Sequence, residues 1–225
     1  MTRLVLFDID DTLIQTNGAG PRAFDRAFEI EFGIKNATHE ISFAGRTDRG
    51  ILSELLTNHS IPEKPGDFEC FFRSYTFWLD YYLAQSPGNI LPGVNRLLRE
   101  LLGRNQRPAI GLLTGNIRLG AQIKLRRHRL WNFFETGAFG CEHHDRNQIA
   151  EIALKRGQKI LGKNLRGSEI LVIGDTTLDI DCANAISARS LAVATGGSTL
   201  DDLAAHQPTW AVENLSGVNP QQILE

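Results

Sequence analysis

Leu4-Val5-Leu6-Phe7 is a continuous apolar run that stops at Asp8, with Asp10, Asp11 and Thr12 close behind. A short run of this kind, bounded by polar residues, reads as a buried strand. The chain is therefore expected to open on a β-strand whose end carries a burst of carboxylates. Beyond it the period lengthens. Ala23, Phe24, Ala27, Phe28 and Phe32 recur at helical spacing and predict a helix from Ala19 to Phe32. Thr47 or Asp48 is a candidate cap for a second helix burying Ile51, Leu52, Leu55 and Leu56. Pro65-Gly66-Asp67 signals the start of a third, with Phe68, Phe71, Phe72, Tyr75, Leu79, Tyr82 and Leu83 three or four residues apart. The tyrosines of the chain, Tyr75, Tyr81 and Tyr82, all fall in this segment. An aromatic stripe can face a ligand, but a packed helix needs one apolar face, and core packing is the expected use.

From Pro87 onward strands and helices alternate, the signature of a parallel sheet covered by helices on both faces. Pro92-Gly93 opens a helix with Val94, Leu97, Leu98, Leu101 and Leu102 inward, and Ala109 to Leu113 reads as a buried strand ending in Thr114-Gly115-Asn116. A helix from Ile117 to Leu130, a short strand near Gly137 to Gly140 and a helix from about Asn147 to Leu161 follow. The strand Glu169 to Ile173 then runs into Gly174-Asp175-Thr176-Thr177-Leu178-Asp179. One more helix and the strand Leu191 to Ala194 complete the pattern, with Trp210 to Val212 as an extra edge strand. The expected fold class is α/β, a Rossmann-like three-layer core around a parallel sheet with an inserted α-helical cap. Residues 1–14 and 86–225 would form the core and residues 15–85 the cap, an insertion placed to act as a lid over the functional end of the sheet.

Composition narrows the partners. Of 225 residues, 42% are hydrophobic and 22% charged, enough ordinary globular chain for one core domain with a substantial insertion. The formal net charge of -2 offers no electrostatic attraction to nucleic acid or an anionic membrane, so a small molecule is the expected partner of a monomer or homodimer. Cys70, Cys141 and Cys182 are odd in number and widely spaced, which argues against a disulfide framework or zinc site and predicts buried free thiols. No apolar run approaches the length of a membrane span, and Met1-Thr2-Arg3-Leu4 leads into a strand rather than a signal peptide, so a soluble cytoplasmic protein is expected.

Three strand ends present polar residues of complementary type: Asp8 and Asp10, then Thr114, Gly115 and Asn116, then Asp175 and Asp179. Ligands of open α/β sheets gather outside the carboxyl ends of the strands. Acids crowded there repel one another unless a cation or a shifted protonation offsets the repulsion, which suits a divalent metal and a phosphate ester. Asp-x-Asp-x-Thr after the first strand, a hydrophobic pair and Thr after the second, and Gly-Asp-x-x-x-Asp after the fourth together resemble the haloacid dehalogenase-like hydrolases. The resemblance extends through Leu91-Pro92-Gly93-Val94 and Ala192-Val193-Ala194-Thr195-Gly196 and so covers the core, whereas the cap is less diagnostic. Phosphoglycolate phosphatase-like enzymes are the nearest comparison.

The resemblance implies a magnesium-dependent phosphatase acting on a small phosphorylated metabolite. Asp8 would be the nucleophile that forms an aspartyl phosphate, and Asp10 the acid and base for leaving group and water. Asp8, the Asp10 backbone carbonyl and Asp175 would hold Mg2+, a hard ion suited to oxygen ligands. Thr114 would donate its hydroxyl to a phosphoryl oxygen beside the amides of Gly115 and Asn116. The cation completing the cradle is usually a lysine before the fourth strand; here Arg146 occupies the matching position, with Lys124, Lys155 and Lys159 as competitors. Thr12 and Asp179 would support the site, Asp179 as a further metal ligand or an orienting partner. Asp10 argues against the dehalogenase branch, because displacing halide needs no proton on the leaving group. A β-phosphoglucomutase-type mutase keeps the same chemistry with a different acceptor, and a non-catalytic phosphate-binding or regulatory protein of this fold is the rival from another class.

The remaining features read more plainly. Asp11 stands where the family commonly has glycine and reads as a turn residue in solvent. The basic run Lys124 to Arg129 spreads around a helix with Leu125 and Leu130 inward, leaving a solvated face. His143-His144 lacks further ligands and reads as exposed loop histidines, and Ser198 is the candidate cap after Gly196-Gly197. Arg46, in the cap, is either a surface arginine or a specificity residue reaching a substrate carboxylate or second phosphate.

Overall fold

The computed structural model describes all 225 residues. β1 (Leu4–Phe7), β4 (Ala109–Thr114), β5 (Thr136–Phe139), β6 (Ile170–Gly174), β7 (Arg189–Val193) and β8 (Trp210–Val212) form one parallel sheet in the order β5-β4-β1-β6-β7-β8. A separate two-residue antiparallel ladder joins β2 (Ile14–Gln15) to β3 (Asn89–Ile90), at the two points where the chain leaves and re-enters the core. The helices are α1 (Ala19–Phe32), α2 (Asp48–Asn58), α3 (Asp67–Gln85), α4 (Val94–Leu102), α5 (Arg118–Arg127), α6 (Arg146–Leu161), α7 (Thr177–Ala185), α8 (Leu200–Ala205) and α9 (Pro220–Leu224). None is long and apolar enough to cross a membrane.

The alternation of β1 divides the core into two layers. Val5 and Phe7 pack with Val94, Leu97 and Leu101 of α4 and with Leu125 of α5. Leu4 and Leu6 point the other way, against Ile149, Ala150 and Ala153 of α6 and Cys182 and Ala183 of α7. Because successive side chains of a strand face opposite sides, a strand apolar at every position belongs between two helical layers. Each such side chain, once fully buried, contributes roughly 1.5–3 kcal/mol. A third cluster lies outside the sheet: Phe24 and Phe28 of α1, Ile51 and Leu55 of α2, and Phe71, Tyr75 and Leu79 of α3, with Ile117 joining it from the core.

Register positions the site. Phe7 lies beside Leu112 on one side and Ile173 on the other, so β1, β4 and β6 end together. The chain runs from β1 to β4 and β5 on one flank, then returns to β6 on the other, making the carboxyl end of β1 the topological switch point where α/β sheets bind ligands.

Three local expectations are corrected and one feature is new. The helix expected to reach Leu130 stops at Arg127, because Arg129 turns left-handed at φ 59° and a single tight turn over Trp131–Phe133 follows. Thr199, not Ser198, caps α8, accepting from the Asp202 amide while the Asp202 carboxylate accepts from Thr199. The β2–β3 ladder was not signalled, since two residues carry no periodicity. Of the cysteines only Cys182 is buried; Cys70 lies exposed on α3 and Cys141 in the loop after β5.

Candidate active site

The carboxylates of Asp8, after β1, and of Asp175 and Asp179, after β6, converge so that one oxygen from each lies within 4.8 Å of the others. All three are buried. Gly174 allows this, since a Cβ there would sit 2.1 Å from the Asp179 carboxyl carbon. Burial is the largest influence on Asp8, pushing its carboxyl up to about 7; Arg146 and the Thr114 hydroxyl pull it down while Asp179 and Asp10 raise it. Burial, then Asp179 and Asp8, push Asp175 up to about 9 although the Thr12 hydroxyl donates to its Oδ1 at 3.0 Å. Asp179 is more fully engaged. Its Oδ2 accepts from the Thr176 amide at 3.0 Å and hydroxyl at 2.7 Å, closing the first turn of α7, and its Oδ1 accepts from Arg146.

Arg146 is the first residue of α6, one past its cap Asp145, and is buried. One guanidinium nitrogen pairs with Asp179 and lies 3.4 Å from Asp8 Oδ1; the other donates to the Gly45 carbonyl of the cap at 3.0 Å. The contact with Asp8 is a charge contact without hydrogen-bond geometry, so Asp8 Oδ1 is a buried oxygen with no hydrogen-bond partner. The two acids overcome burial and hold Arg146 more strongly protonated than usual. Lys155 and Lys159 are exposed on the same helix, Lys155 paired with Glu151, and take no part.

Asp10 has a separate cation, and here the reading of the basic run is corrected. Lys124 is 4% exposed. Its Nζ donates to both Asp10 oxygens at 2.9 and 2.6 Å and to Asn116 Oδ1 at 2.6 Å. Lys124 follows Gly120 and Ala121 by four and three residues, which places it on the buried stripe of α5 with Leu125. Asn116 Nδ2 in turn donates to Asp10 Oδ2 at 2.8 Å and to Thr114 Oγ1 at 2.9 Å. The side chain of Asn116 is thus occupied in orienting Asp10 and Thr114. Asp11 adopts the left-handed conformation at φ 53°, which is why glycine suits the position. It lines the cavity rather than standing free in solvent, and its carbonyl accepts from the Thr195 hydroxyl at 2.5 Å.

The cap closes over these groups through the segment before α2. The Asp48 amide donates to the Gly115 carbonyl at 2.8 Å, Asp48 Oδ2 accepts from the Ile117 amide at 2.8 Å, and the Thr47 hydroxyl donates to the His144 carbonyl at 2.8 Å. Thr47 is the cap of α2, accepting from the Gly50 amide at 3.0 Å. Asp48, read from the sequence only as a possible cap, instead bridges to the core. Arg46 lines the cavity but pairs with Glu54 and donates to the Ser42 carbonyl. The cleft between cap and core measures about 320 Å3 and is bounded by Asp8, Asp10, Gly115, Lys124, Arg146 and Asp175 from the core and by residues of the cap.

Residues 5–193 match the model of the haloacid dehalogenase-like hydrolases. The chain belongs to this family. It is 27% identical over 224 residues to the probable phosphatase IndB of Dickeya dadantii (strain 3937), covering 97% of this chain and 92% of that protein. Among solved structures, this hydrolase resembles CbbY of Rhodobacter sphaeroides in complex with phosphate, at TM-score 0.73 and 16% identity over 96% of each chain. It also resembles a predicted phosphoglycolate phosphatase of Haemophilus somnus 129pt, at TM-score 0.71 and 17% identity over 96% of this chain and 95% of that one. At those identities the likeness is one of fold.

The donor set fits a divalent cation. It is all oxygen, it gathers buried acids whose carboxyls are driven toward the neutral form, and it includes Asp8 Oδ1, which accepts no hydrogen bond. Asp179 has both oxygens committed to protein donors, so Asp8 and Asp175 are the side chains free to hold the ion.

Proposed function

We propose that this hydrolase is a magnesium-dependent phosphatase that cleaves a small phosphomonoester metabolite through an aspartyl phosphate on Asp8. The observation that carries the reading is the buried Asp8 carboxylate. Asp8 lines the cavity with Asp175 and Arg146, its Oδ1 lying 3.4 Å from the guanidinium without a hydrogen bond, and Asp10, held by Lys124 and Asn116, lines the same space. Asp8, Asp175 and the backbone carbonyl of Asp10 would hold the ion. When bound, it offsets the repulsion between a carboxylate and a phosphate dianion. The Asp8 oxygen attacks phosphorus, and the ester P–O bond breaks with its electron pair going to the departing oxygen, which takes a proton from Asp10. Water then attacks phosphorus, giving its proton to Asp10 and returning Asp8 as inorganic phosphate leaves. Arg146, fixed by Asp179, supplies positive charge beside Asp8, and Thr114 supplies a hydroxyl. Lys124 positions Asp10. The name of IndB and the phosphate in the CbbY structure agree with this reading.

The test is turnover of p-nitrophenyl phosphate by purified protein. Magnesium should support release of inorganic phosphate and a chelator should remove it. Asp8→Asn should lower kcat by at least about 10³-fold, since the amide is not a nucleophile. Near-native turnover by Asp8→Asn would refute the assignment.

A further inference from the structure

The cavity carries positive charge only where the protein has already used it. Arg46 is paired with Glu54, Lys124 with Asp10, and Arg146 with Asp179 and Asp8. Two polar side chains of buried residues lining the cavity, Asp48 and Tyr75, each have an atom with no protein partner. Asp48 is 6% exposed, and with Oδ2 held by the Ile117 amide, its Oδ1 bonds to no protein group. Tyr75 is 1% exposed, its ring packed 4.7 Å from Phe24, and its hydroxyl bonds to no protein group. Neither atom is shut off from the cavity, so a ligand that displaces water from them must replace those hydrogen bonds or lose affinity.

Resting on the phosphatase reading, we infer that the part of the substrate released with the ester oxygen is an uncharged, hydroxyl-bearing polyol or sugar. It is not a carboxylate and bears no second phosphate. A hydroxyl both donates and accepts, so neighbouring hydroxyls satisfy the Asp48 carboxylate and the Tyr75 phenol together. A carboxylate only accepts; it would leave Asp48 unpaired and meet Asp48 and Asp11 as like charges, with no uncommitted cation to offset them. Phe43 and Ile51 give the same chamber an apolar wall for the carbon skeleton. The volume of about 320 Å3 leaves room for a phosphate and a small sugar.

The experiment compares kcat/KM of the magnesium-loaded protein for glycerol phosphate, a pentose monophosphate and phosphoglycolate, with p-nitrophenyl phosphate as the generic ester. The better of the two neutral metabolite esters should exceed phosphoglycolate by about a hundredfold, the scale of a like-charge clash in a dry polar site. Asp48→Asn, which keeps an acceptor for the Ile117 amide, and Tyr75→Phe should each narrow that ratio. Turnover of p-nitrophenyl phosphate with phosphoglycolate equal to or above the neutral esters would overturn this inference alone, as would variants that leave the ratio unchanged. No turnover of any ester would sink the phosphatase reading and this inference with it.

Discussion

Two cations divide the work among the acids of the site, each assigned by burial and contact. Arg146 serves Asp8 and Asp179, and Lys124 serves Asp10. Lys124→Met removes the only charged partner of Asp10 while retaining the length of the side chain. It is expected to lower kcat by about one to two orders of magnitude, with a smaller change in KM, because in the proposed mechanism the loss falls on proton transfer by Asp10 rather than on binding. An unchanged kcat in steady-state assays would remove Lys124 from the mechanism. Arg146→Ala is expected to cost more than either Lys155→Ala or Lys159→Ala, whose exposed side chains should stay within the roughly 0.5 kcal/mol scatter of surface substitutions. The reverse ranking would reassign the cation.

Among elements, the junction of cap and core determines whether the chamber is closed. The loop entering α2 lies so near the end of β4 that a Cβ on Gly115 would stand 1.9 Å from the Arg46 carbonyl. The same glycine accepts from the Asp48 amide. Gly115→Ala must therefore push the cap loop away from the strand end, breaking the bridge through Asp48 while leaving both hydrophobic layers of the sheet untouched. It is expected to lower kcat/KM by about tenfold or more, since small misplacements of this kind are costly to catalysis. The melting transition should move little, and cleavage between cap and core by limited proteolysis should become faster. Wild-type kinetics would show that closure tolerates the added methyl.

For the whole molecule, the buried acids tie stability to pH. Asp8 and Asp175 sit at about 7 and about 9 in the folded chain against an ordinary 3.8. The folded protein therefore keeps protons that the unfolded chain has already released, so stability falls as pH rises. The contribution is complete below about pH 4 and is lost as pH climbs through the neutral and alkaline range, where the pair Asp8 and Asp175, both raised by burial, releases its protons. Metal-stripped protein should melt several degrees lower at about pH 9 than at about pH 5, given that about 1 kcal/mol moves the midpoint of a chain this size by roughly 2–4 °C. Magnesium should restore the midpoint mainly at the alkaline end, because the cation favours the ionised carboxylates. Calorimetry across that range with and without the ion measures both effects; a midpoint that rises with pH in the stripped protein would contradict the assignment.

Periodicity alone located α1 at Ala19–Phe32, because a helix of that length shows in the local sequence which of its sides is apolar. The acids and Thr114 were legible for a related reason: each is the polar residue that interrupts a buried strand, and parallel strands must end on the same side of the sheet. Lys124, Asp48 and the engagement of Arg46 were settled only by folding. Lys124 meets Asp10 across 114 positions and Asp48 meets Ile117 across 69, and no local pattern says what awaits a polar side chain on the buried face. A sequence records that a position turns inward; whether it finds a carboxylate, an amide or an open chamber depends on distant segments brought together by packing.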